Sequence, residues 1–291
     1  MLLDRYLPRM EFESYEDFKE NYKVNVPEDF NFGYDVVDAW AQQEPEKRAL
    51  VWCDDHGHEK VFTFTDISRL SNQAANFFRS IGVKQGDVVM LILRRRWEYW
   101  ICATALHKLG AILIPGTLQL TKKDIVYRAD AAGISTIVCV NDPFVIEQVE
   151  QTMQETKTLK NRILVEDHRK GWLNFGDEIA RQPDTWERVQ THVKDTMLVY
   201  FTSGTTGMPK MVAHNFSYPL GHIVTAKYWQ QVQENKLHMS VSDSGWAKFG
   251  WGKIYGQWLC GAVIFAYDMD KFVPLHLLEK ITKYQVTTFC A

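Results

Sequence analysis

The chain has 291 residues, of which 46% are hydrophobic and 24% are charged, and its formal net charge is −3 at pH 7. This balance is typical of a folded protein of about one or two domains and argues against a disordered chain. The weak negative charge argues against proteins that bind nucleic acid or anionic membranes. The most apolar stretch, residues 100–118, contains His107, Lys108 and Pro115, so we expect no stable membrane insertion.

Strands and helices are predicted to alternate from about residue 60. Thr65 is a candidate N-cap for a helix whose apolar residues recur at spacings of three and four, and Gly82 is its expected stop. Residues 88–93 form a continuous apolar run, as expected for a strand covered on both faces. A helix over 97–109 ends at Gly110, and buried strands follow at 111–114, 136–140 and 162–165. Such alternation predicts an α/β fold with mostly parallel sheets flanked by helices.

The second part of the chain repeats this pattern after a polar stretch. Residues 166–195 contain charges, two glycines and a proline, and we place a connection between subdomains there. Strands are predicted at 197–202, 262–267 and 286–290, with helices at 217–233 and 275–284. We predict a first α/β subdomain over 1–190 and the start of a second over 191–291. Because the last strand would lack a covering element, we expect a truncated chain.

The five cysteines do not suggest disulfides, a metal site or a nucleophile. None forms a Cys-x-x-Cys pair, and no histidine or cysteine spacing is typical of zinc. Four of them lie in apolar runs, as buried reduced thiols do. Residues 1–10 carry three charges and lack the apolar core of a signal peptide. These features predict a cytoplasmic protein.

The segment with the clearest chemistry is 200–210, which reads Tyr-Phe-Thr-Ser-Gly-Thr-Thr-Gly-Met-Pro-Lys. It follows an apolar strand and combines hydroxyl groups, two glycines and a lysine, the groups that cradle a polyphosphate. A polar turn would explain the glycines but not the hydroxyl groups beside a lysine. It differs from the P-loop of common NTPases because Lys210 lies three residues after Gly207 and follows Pro209.

This segment resembles the signature of the adenylate-forming (AMP-binding) superfamily, which includes acyl-CoA synthetases, aryl-CoA ligases, luciferases and peptide-synthetase adenylation domains. Met211 stands where most members carry glycine, a departure that is similar to medium-chain acyl-CoA synthetases. Further matching segments lie in the expected order, at 62–66, 82–88, 109–116, 114–120, 124–128, 171–175 and 242–246.

The resemblance implies a set of substrates and sites. It implies ATP, Mg²⁺ and CoA, and a medium-chain or short branched fatty acid that becomes acyl-AMP and then acyl-CoA. It implies that Gly245 and Trp246 line the acyl and CoA passage, although a core position for Trp246 stays open. The implied loop for the ATP β- and γ-phosphates consists of Thr202, Ser203, Gly204, Thr205, Thr206, Gly207 and Lys210.

The resemblance also places family residues beyond the counterpart of Ala291. These are a Tyr-Gly-x-Thr-Glu segment, a ribose-binding aspartate and a C-terminal lid domain with its lysine. We therefore assign no catalytic residue and no metal ligand, and expect the 291-residue chain to turn over slowly or not at all. Adenylation of an aryl or amino acid, and a non-catalytic nucleotide-binding module, stay open as alternatives. A homo-oligomer stays open as well.

Three other features have structural interpretations. We expect Arg94, Arg95 and Arg96 to form a salt-bridged surface rather than an anion site, and His214 to be structural. Trp251, Tyr255 and Trp258 are predicted to be mostly core residues.

Overall fold

The computed structural model describes residues 2–202 and 207–291. Its strands are β1 (Arg48–Asp54), β2 (Glu59–Thr63), β3 (Val88–Ile92), β4 (Ile112–Pro115), β5 (Ile134–Cys139), β6 (Asn161–Leu164), β7 (Leu173–Asn174), β8 (Thr196–Thr202), β9 (Lys210–Asn215), β10 (Leu237–Ser240), β11 (Val263–Asp268) and β12 (Thr288–Cys290). Its α-helices are α1 (Tyr15–Asn21), α2 (Ala39–Gln43), α3 (Phe64–Ser80), α4 (Glu98–Leu109), α5 (Lys122–Ala132), α6 (Pro143–Thr152), α7 (Phe175–Ala180), α8 (Tyr218–Gly221), α9 (Ala247–Lys253), α10 (Tyr255–Leu259) and α11 (Pro274–Tyr284). A 3₁₀-helix spans Leu2–Arg5, and π-helical turns span Gly33–Asp38 and Val224–Trp229.

These strands form two mostly parallel sheets. The first has the order β7-β6-β5-β3-β4-β8-β9, in which β9 runs antiparallel to β8 and the other pairs are parallel. The second has the order β12-β10-β11-β1-β2, in which β2 runs antiparallel to β1 and the other pairs are parallel. The predicted α/β class with mostly parallel, helix-flanked sheets is confirmed.

The main core is shared by both sheets. Val89 and Leu91 of β3 pack into it together with Leu50 of β1 and Ile264 of β11. The alternate residues of β3, such as Met90, pack into a second cluster on the other face of the first sheet. This explains why β3 is apolar at every position, as predicted for a strand covered on both faces.

Tryptophans inside the main core connect distant parts of the chain. The indole of Trp40 donates a 2.8 Å hydrogen bond to the carbonyl of Trp258, and the indole of Trp258 donates one of 3.0 Å to Ala49. Tyr255 is also buried, whereas Trp251 is only partly so. The prediction that most of these aromatic residues are core residues is therefore confirmed.

The structure revises several predicted boundaries. The N-cap of α3 is Thr63 rather than Thr65, because the Thr63 hydroxyl accepts from the Asp66 amide while the Asp66 carboxylate accepts from the Thr63 amide. The helical stretch predicted at 217–233 consists of α8 and a π-helical turn.

The predicted boundary at residue 190 does not separate the two sheets. Strands β8 and β9 join the first sheet, and β1 and β2 join strands from the end of the chain. The division into subdomains over 1–190 and 191–291 stays a prediction.

Candidate active site

A pocket of about 510 Å³ opens where two neighbouring parallel strands end. These strands are β4 and β8, which pair at Leu113 and Leu198. Ligands commonly bind at the carboxyl ends of strands in open α/β sheets. The lining residues come from the ends of these strands, the segment after β4, helix α5, the residue before β9 and the start of α9 with the two residues before it: Pro115, Gly116, Thr117, Leu120, Arg128, Tyr200, Phe201, Thr202, Pro209, Gly245, Trp246 and Ala247.

Gly245 permits two segments of the pocket wall to touch. A Cβ atom built on it would lie 2.5 Å from the amide nitrogen of Thr117 and 2.6 Å from its Cα. The Gly245 amide donates a 3.2 Å hydrogen bond to Asp243, whose carboxylate also accepts one of 3.1 Å from Arg95. The close backbone approach therefore requires a glycine here. The hydrogen bond to Asp243, which is ion-paired with Arg95, helps to hold the Gly245 backbone in place.

Trp246 lies at the mouth of this pocket. Its side chain is 63% exposed, and the residue is the N-cap of α9. This exposure excludes the core position that the sequence left open. A role for Gly245 and Trp246 in an acyl and CoA passage stays a prediction.

The predicted phosphate loop connects β8 to β9. Thr202 pairs with Lys210 across this hairpin, and Gly207 has a left-handed φ of +138° that favours glycine. The Lys210 residue is exposed. Ser203, Gly204, Thr205 and Thr206 lie outside the described residues. Of the predicted loop residues that the structure describes, Thr202 lines the pocket, whereas Gly207 and Lys210 do not; Pro209, next to Lys210, does.

Helix α5 contributes two neighbouring side chains that sequence reasoning did not assign to the site. The Tyr127 hydroxyl donates a 2.9 Å hydrogen bond to the carbonyl of Pro209, and the Arg128 guanidinium carbon lies 5.1 Å from the ring centre of Phe201. The only sequence signal for these two residues was the match of residues 124–128 to the family pattern, and that match assigned neither residue a function.

The three consecutive arginines after β3 are all paired with carboxylates. Arg94 contacts Asp268 and Asp270, Arg95 contacts Asp243, and Arg96 contacts Glu98, Glu166 and Asp268. The salt-bridged interpretation is confirmed. Since Asp268 ends β11, these ion pairs also join the first sheet to the second.

His214 packs among aromatic rings rather than in the pocket. Its ring centre lies 4.3 Å from that of Tyr218 and 5.4 Å from that of Tyr200. Burial lowers the pKa of His214, which favours the neutral ring. These contacts support the structural interpretation of this histidine.

Most of the cysteines are buried free thiols. All five lie in the described part and are free; four are buried, and Cys290 is partly buried. Burial raises the pKa of Cys53 to about 11, which disfavours the reactive thiolate. Across residues 2–202 and 207–291, no group of three or more histidine, cysteine, aspartate or glutamate side chains is placed to hold a metal ion.

The fold and the glycine-rich hairpin at the strand ends define an α/β protein with a candidate phosphate-binding pocket. A sequence model described as AMP-binding enzyme matches residues 37–291. The chain therefore belongs to the AMP-binding enzyme family.

Curated relatives are acyl-CoA synthetases. The chain is 34% identical over 288 residues to the mitochondrial acyl-coenzyme A synthetase ACSM3 of Homo sapiens, covering 96% of this chain and 49% of that enzyme. It is 36% identical over 274 residues to the mitochondrial acyl-coenzyme A synthetase ACSM4 of Rattus norvegicus, covering 91% of this chain and 47% of that enzyme. The chain thus spans about half the length of these relatives.

Solved structures share the fold. The anthranilate CoA ligase AuaEII, solved in complex with anthranoyl-AMP, gives a TM-score of 0.81 at 22% identity over 91% of this chain and 50% of that structure. The acyl-CoA synthetase of Brucella canis gives a TM-score of 0.80 at 20% identity over 89% of this chain and 47% of that structure.

The predicted cytoplasmic location is wrong. The similar curated enzymes, ACSM3 and ACSM4 among them, are mitochondrial. The prediction failed because free thiols and a missing signal-peptide core do not distinguish the cytosol from an organelle. Within the described residues, none of the helices combines the length and the apolar character needed to cross a bilayer.

Proposed function

We propose that this chain forms the ATP-binding and acyl-binding part of an acyl-CoA ligase. The reaction would join a medium-chain or short branched fatty acid to AMP with release of pyrophosphate, and then transfer the acyl group to CoA with release of AMP. The observation that carries the proposal is the pocket that brings Thr202, the first residue of the predicted phosphate loop, and Pro209, which precedes Lys210, beside Gly245 and Trp246. The curated acyl-coenzyme A synthetases named above support the ligase class of this reaction, while the choice of fatty acid rests on the resemblance and the pocket.

The proposed phosphate loop would act on the leaving group. In the first step the fatty-acid carboxylate attacks the α-phosphorus, and negative charge grows on the departing pyrophosphate. Donors and cations aimed at that charge lower the barrier. We propose this role for Thr202, Ser203, Gly204, Thr205, Thr206, Gly207 and Lys210. The pairing of Thr202 with Lys210 supports it, because it brings a hydroxyl residue and an exposed lysine together at one end of the hairpin.

The apolar part of the pocket would accept the acyl chain. Leu120, Phe201, Trp246 and Ala247 supply apolar surface next to the phosphate end. An apolar wall of this kind gains free energy from burying methylene groups, about 0.8 kcal/mol for each. This favours a fatty acid over an amino acid, whose ammonium group would need a buried partner.

Mg²⁺ and CoA are implied by the family only. Because residues 2–202 and 207–291 contain no cluster of three candidate ligands, we assign no Mg²⁺ ligand and derive no step through the ion. For CoA, we propose only that its thiol approaches past Gly245 and Trp246. We also propose that the 291-residue chain alone binds ATP but turns over very slowly or not at all.

Calorimetry with ATP tests the phosphate loop. We expect the 291-residue chain to bind ATP and Lys210→Gln to bind it at least about tenfold more weakly, since a charge-assisted contact is lost. Lys236→Gln, which also removes an exposed lysine but not one from the loop, serves as the control. Equal ATP affinity in both variants would refute the proposed loop.

A panel of acids tests the substrate class. Acid-dependent exchange of labelled pyrophosphate into ATP should be strongest with octanoate or a short branched acid and weaker with benzoate or leucine. A preference for benzoate or leucine would favour the aryl or amino acid alternative. ATP binding without exchange for any acid, in a chain that is monomeric and unfolds cooperatively, would favour the binding module. Octanoate-dependent turnover on the order of 1–10³ s⁻¹ would contradict slow turnover of this chain.

A further inference from the structure

Helix α5 contacts both limbs of the β8–β9 hairpin through two consecutive residues. Tyr127 contacts the β9 side of the hairpin, where its hydroxyl donates a 2.9 Å hydrogen bond to the carbonyl of Pro209. Arg128 contacts the β8 side of the hairpin, where its guanidinium lies over the ring of Phe201. Phe201 directly precedes Thr202, and Pro209 directly precedes Lys210. The helix therefore holds Arg128 beside the described ends of the hairpin, facing the pocket.

The charge of Arg128 is poorly compensated by the described residues. Its side chain is only 13% exposed, and the Asp124 carboxylate, its ion-pair partner within the described part of the chain, lies 3.9 Å away. Among the described residues, the guanidinium of Arg128 donates one long hydrogen bond, of 3.4 Å, to the backbone carbonyl of Asp124. A guanidinium has five N–H donors and forms ion-pair hydrogen bonds of about 2.7–2.9 Å when it is well matched. Several donors are therefore left for a ligand.

Asp124 cannot easily move to improve this pair. Its carboxylate accepts hydrogen bonds from the amide and hydroxyl of Thr121 at 3.0 and 2.7 Å, which cap the start of α5. Burial lowers the pKa of Arg128, and Asp124 offsets that effect only in part. Desolvated charges of this kind bind an oppositely charged group more strongly than exposed ones do.

We propose that Arg128 binds a phosphate group in this pocket. This inference rests on the proposed function, and it adds to the loop a cation that comes from a different element, helix α5. The phosphate belongs either to the ATP polyphosphate or to CoA, since both carry the same chemical group. The guanidinium lies over the ring of Phe201, the ring of Tyr127 contacts Phe201 edge-on, and Arg128 lines the cavity.

Calorimetric titrations with pyrophosphate, ATP, AMP and CoA test this inference. Arg128→Gln should weaken pyrophosphate and ATP binding about tenfold or more, and Arg128→Lys should recover part of that loss because it restores the charge. AMP, with a single phosphate, should lose less. Raising the salt concentration should reduce the difference between Arg128→Gln and the parent chain.

The matched control is Arg162→Gln. Like Arg128, Arg162 is partly buried and lies over an aromatic ring, that of Trp172 at 5.5 Å. It also donates to a backbone carbonyl, that of Gly171. It is not part of the pocket wall. Tyr127→Phe is a second control, because it removes the anchor of Pro209 and leaves the charge in place. Thermal unfolding of every variant shows whether the fold is kept.

The outcomes separate the two proposals. Weaker pyrophosphate and ATP binding in Arg128→Gln, with Arg162→Gln unchanged, supports a contact with ATP phosphates. Weaker CoA binding alone supports a contact with a CoA phosphate. Unchanged affinity for all four compounds in a folded Arg128→Gln, or a loss in Tyr127→Phe as large as that in Arg128→Gln, overturns the inference. If Lys210→Gln still weakens ATP binding in that case, the proposed function stands without it.

Discussion

Gly245 and Thr117 approach each other closely through their backbones in the wall of the pocket. A Cβ on residue 245 would come within 2.6 Å of the Thr117 Cα atom, closer than such atoms approach in folded proteins. Because backbone rather than a flexible side chain is in the way, one of the two segments has to shift. This contact therefore fixes the position of the segment 115–117 relative to the segment 245–247 in the pocket wall.

Gly245→Ala should destabilise the fold and distort the pocket. Overpacking of this kind costs about 1–3 kcal/mol, which thermal or urea unfolding would detect. Gly221→Ala is the control, since a Cβ there meets nothing within 4 Å and the residue is helical. The control should be neutral or slightly stabilising. Equal stability of the two variants would mean that the close contact is absent in solution.

The N-terminus of α3 provides a second test. Thr63→Ala removes a hydroxyl that accepts from the Asp66 amide and should lower the free energy of unfolding by about 1 kcal/mol. Thr65→Ala removes only an exposed hydrogen bond to the carbonyl of Pro45 and should cost less. Urea unfolding of the two variants decides between them. A larger effect at Thr65 would support the cap predicted from sequence instead.

The sequence predicted those parts of the fold that have a local signal. Strand β3 is apolar at every position because both its faces are covered, and Gly110 ends α4 in a left-handed conformation with φ of +74°. Strand β9 gave no such signal: it reads Lys-Met-Val-Ala-His-Asn and is mostly exposed, so its amphipathic pattern is weak. It is held in place by the antiparallel pairing to β8.

Long-range pairing was not predictable from one sequence. Leu50 of β1 pairs with Ile264 of β11, which is why a boundary drawn from the polar stretch before residue 195 does not follow the sheets. The same limit applies to the site. The loop of 202–210 is contiguous and could be read from its residue types, whereas the approach of Arg128 to Phe201 depends on how α5 packs against β8.

Stability should depend on pH through Glu98. This residue begins α4, is almost fully buried, and accepts two hydrogen bonds of 3.2 Å from Arg96. Burial raises its pKa from 4.5 to about 7, an effect that Arg96 reduces but does not cancel. Between these two values the unfolded chain releases a proton that the folded chain keeps, so the contribution of Glu98 to stability falls as pH rises from about 4.5 to 7.

Glu98→Gln removes that titration while it keeps the shape of the side chain. Urea unfolding at a series of pH values should show the variant gaining stability relative to the parent chain as pH rises through this window, by on the order of 1–3 kcal/mol in total. Above pH 7 the difference should level off. A constant difference across the series would show that the folded chain does not hold this carboxyl protonated.

Trp246 provides the most direct test of the acyl part of the pocket. Because its side chain is 63% exposed, Trp246→Ala should change the free energy of unfolding by no more than about 0.5 kcal/mol. Its effect should appear on binding instead. The non-hydrolysable analogue octanoyl-sulfamoyl-adenosine should bind the variant about tenfold more weakly, since apolar contact with several methylene groups is lost. Adenosine sulfamate, which lacks the acyl chain, should bind the variant and the parent chain alike. For acetyl-sulfamoyl-adenosine, the loss of affinity in the variant should lie between those for the other two analogues.

Phe144→Ala, which removes an exposed aromatic side chain on α6, is the control and should change none of these affinities. A loss that is equal for all three analogues would assign Trp246 to the nucleotide rather than to the acyl chain. Unchanged binding of the octanoyl analogue would remove Trp246 from the passage altogether.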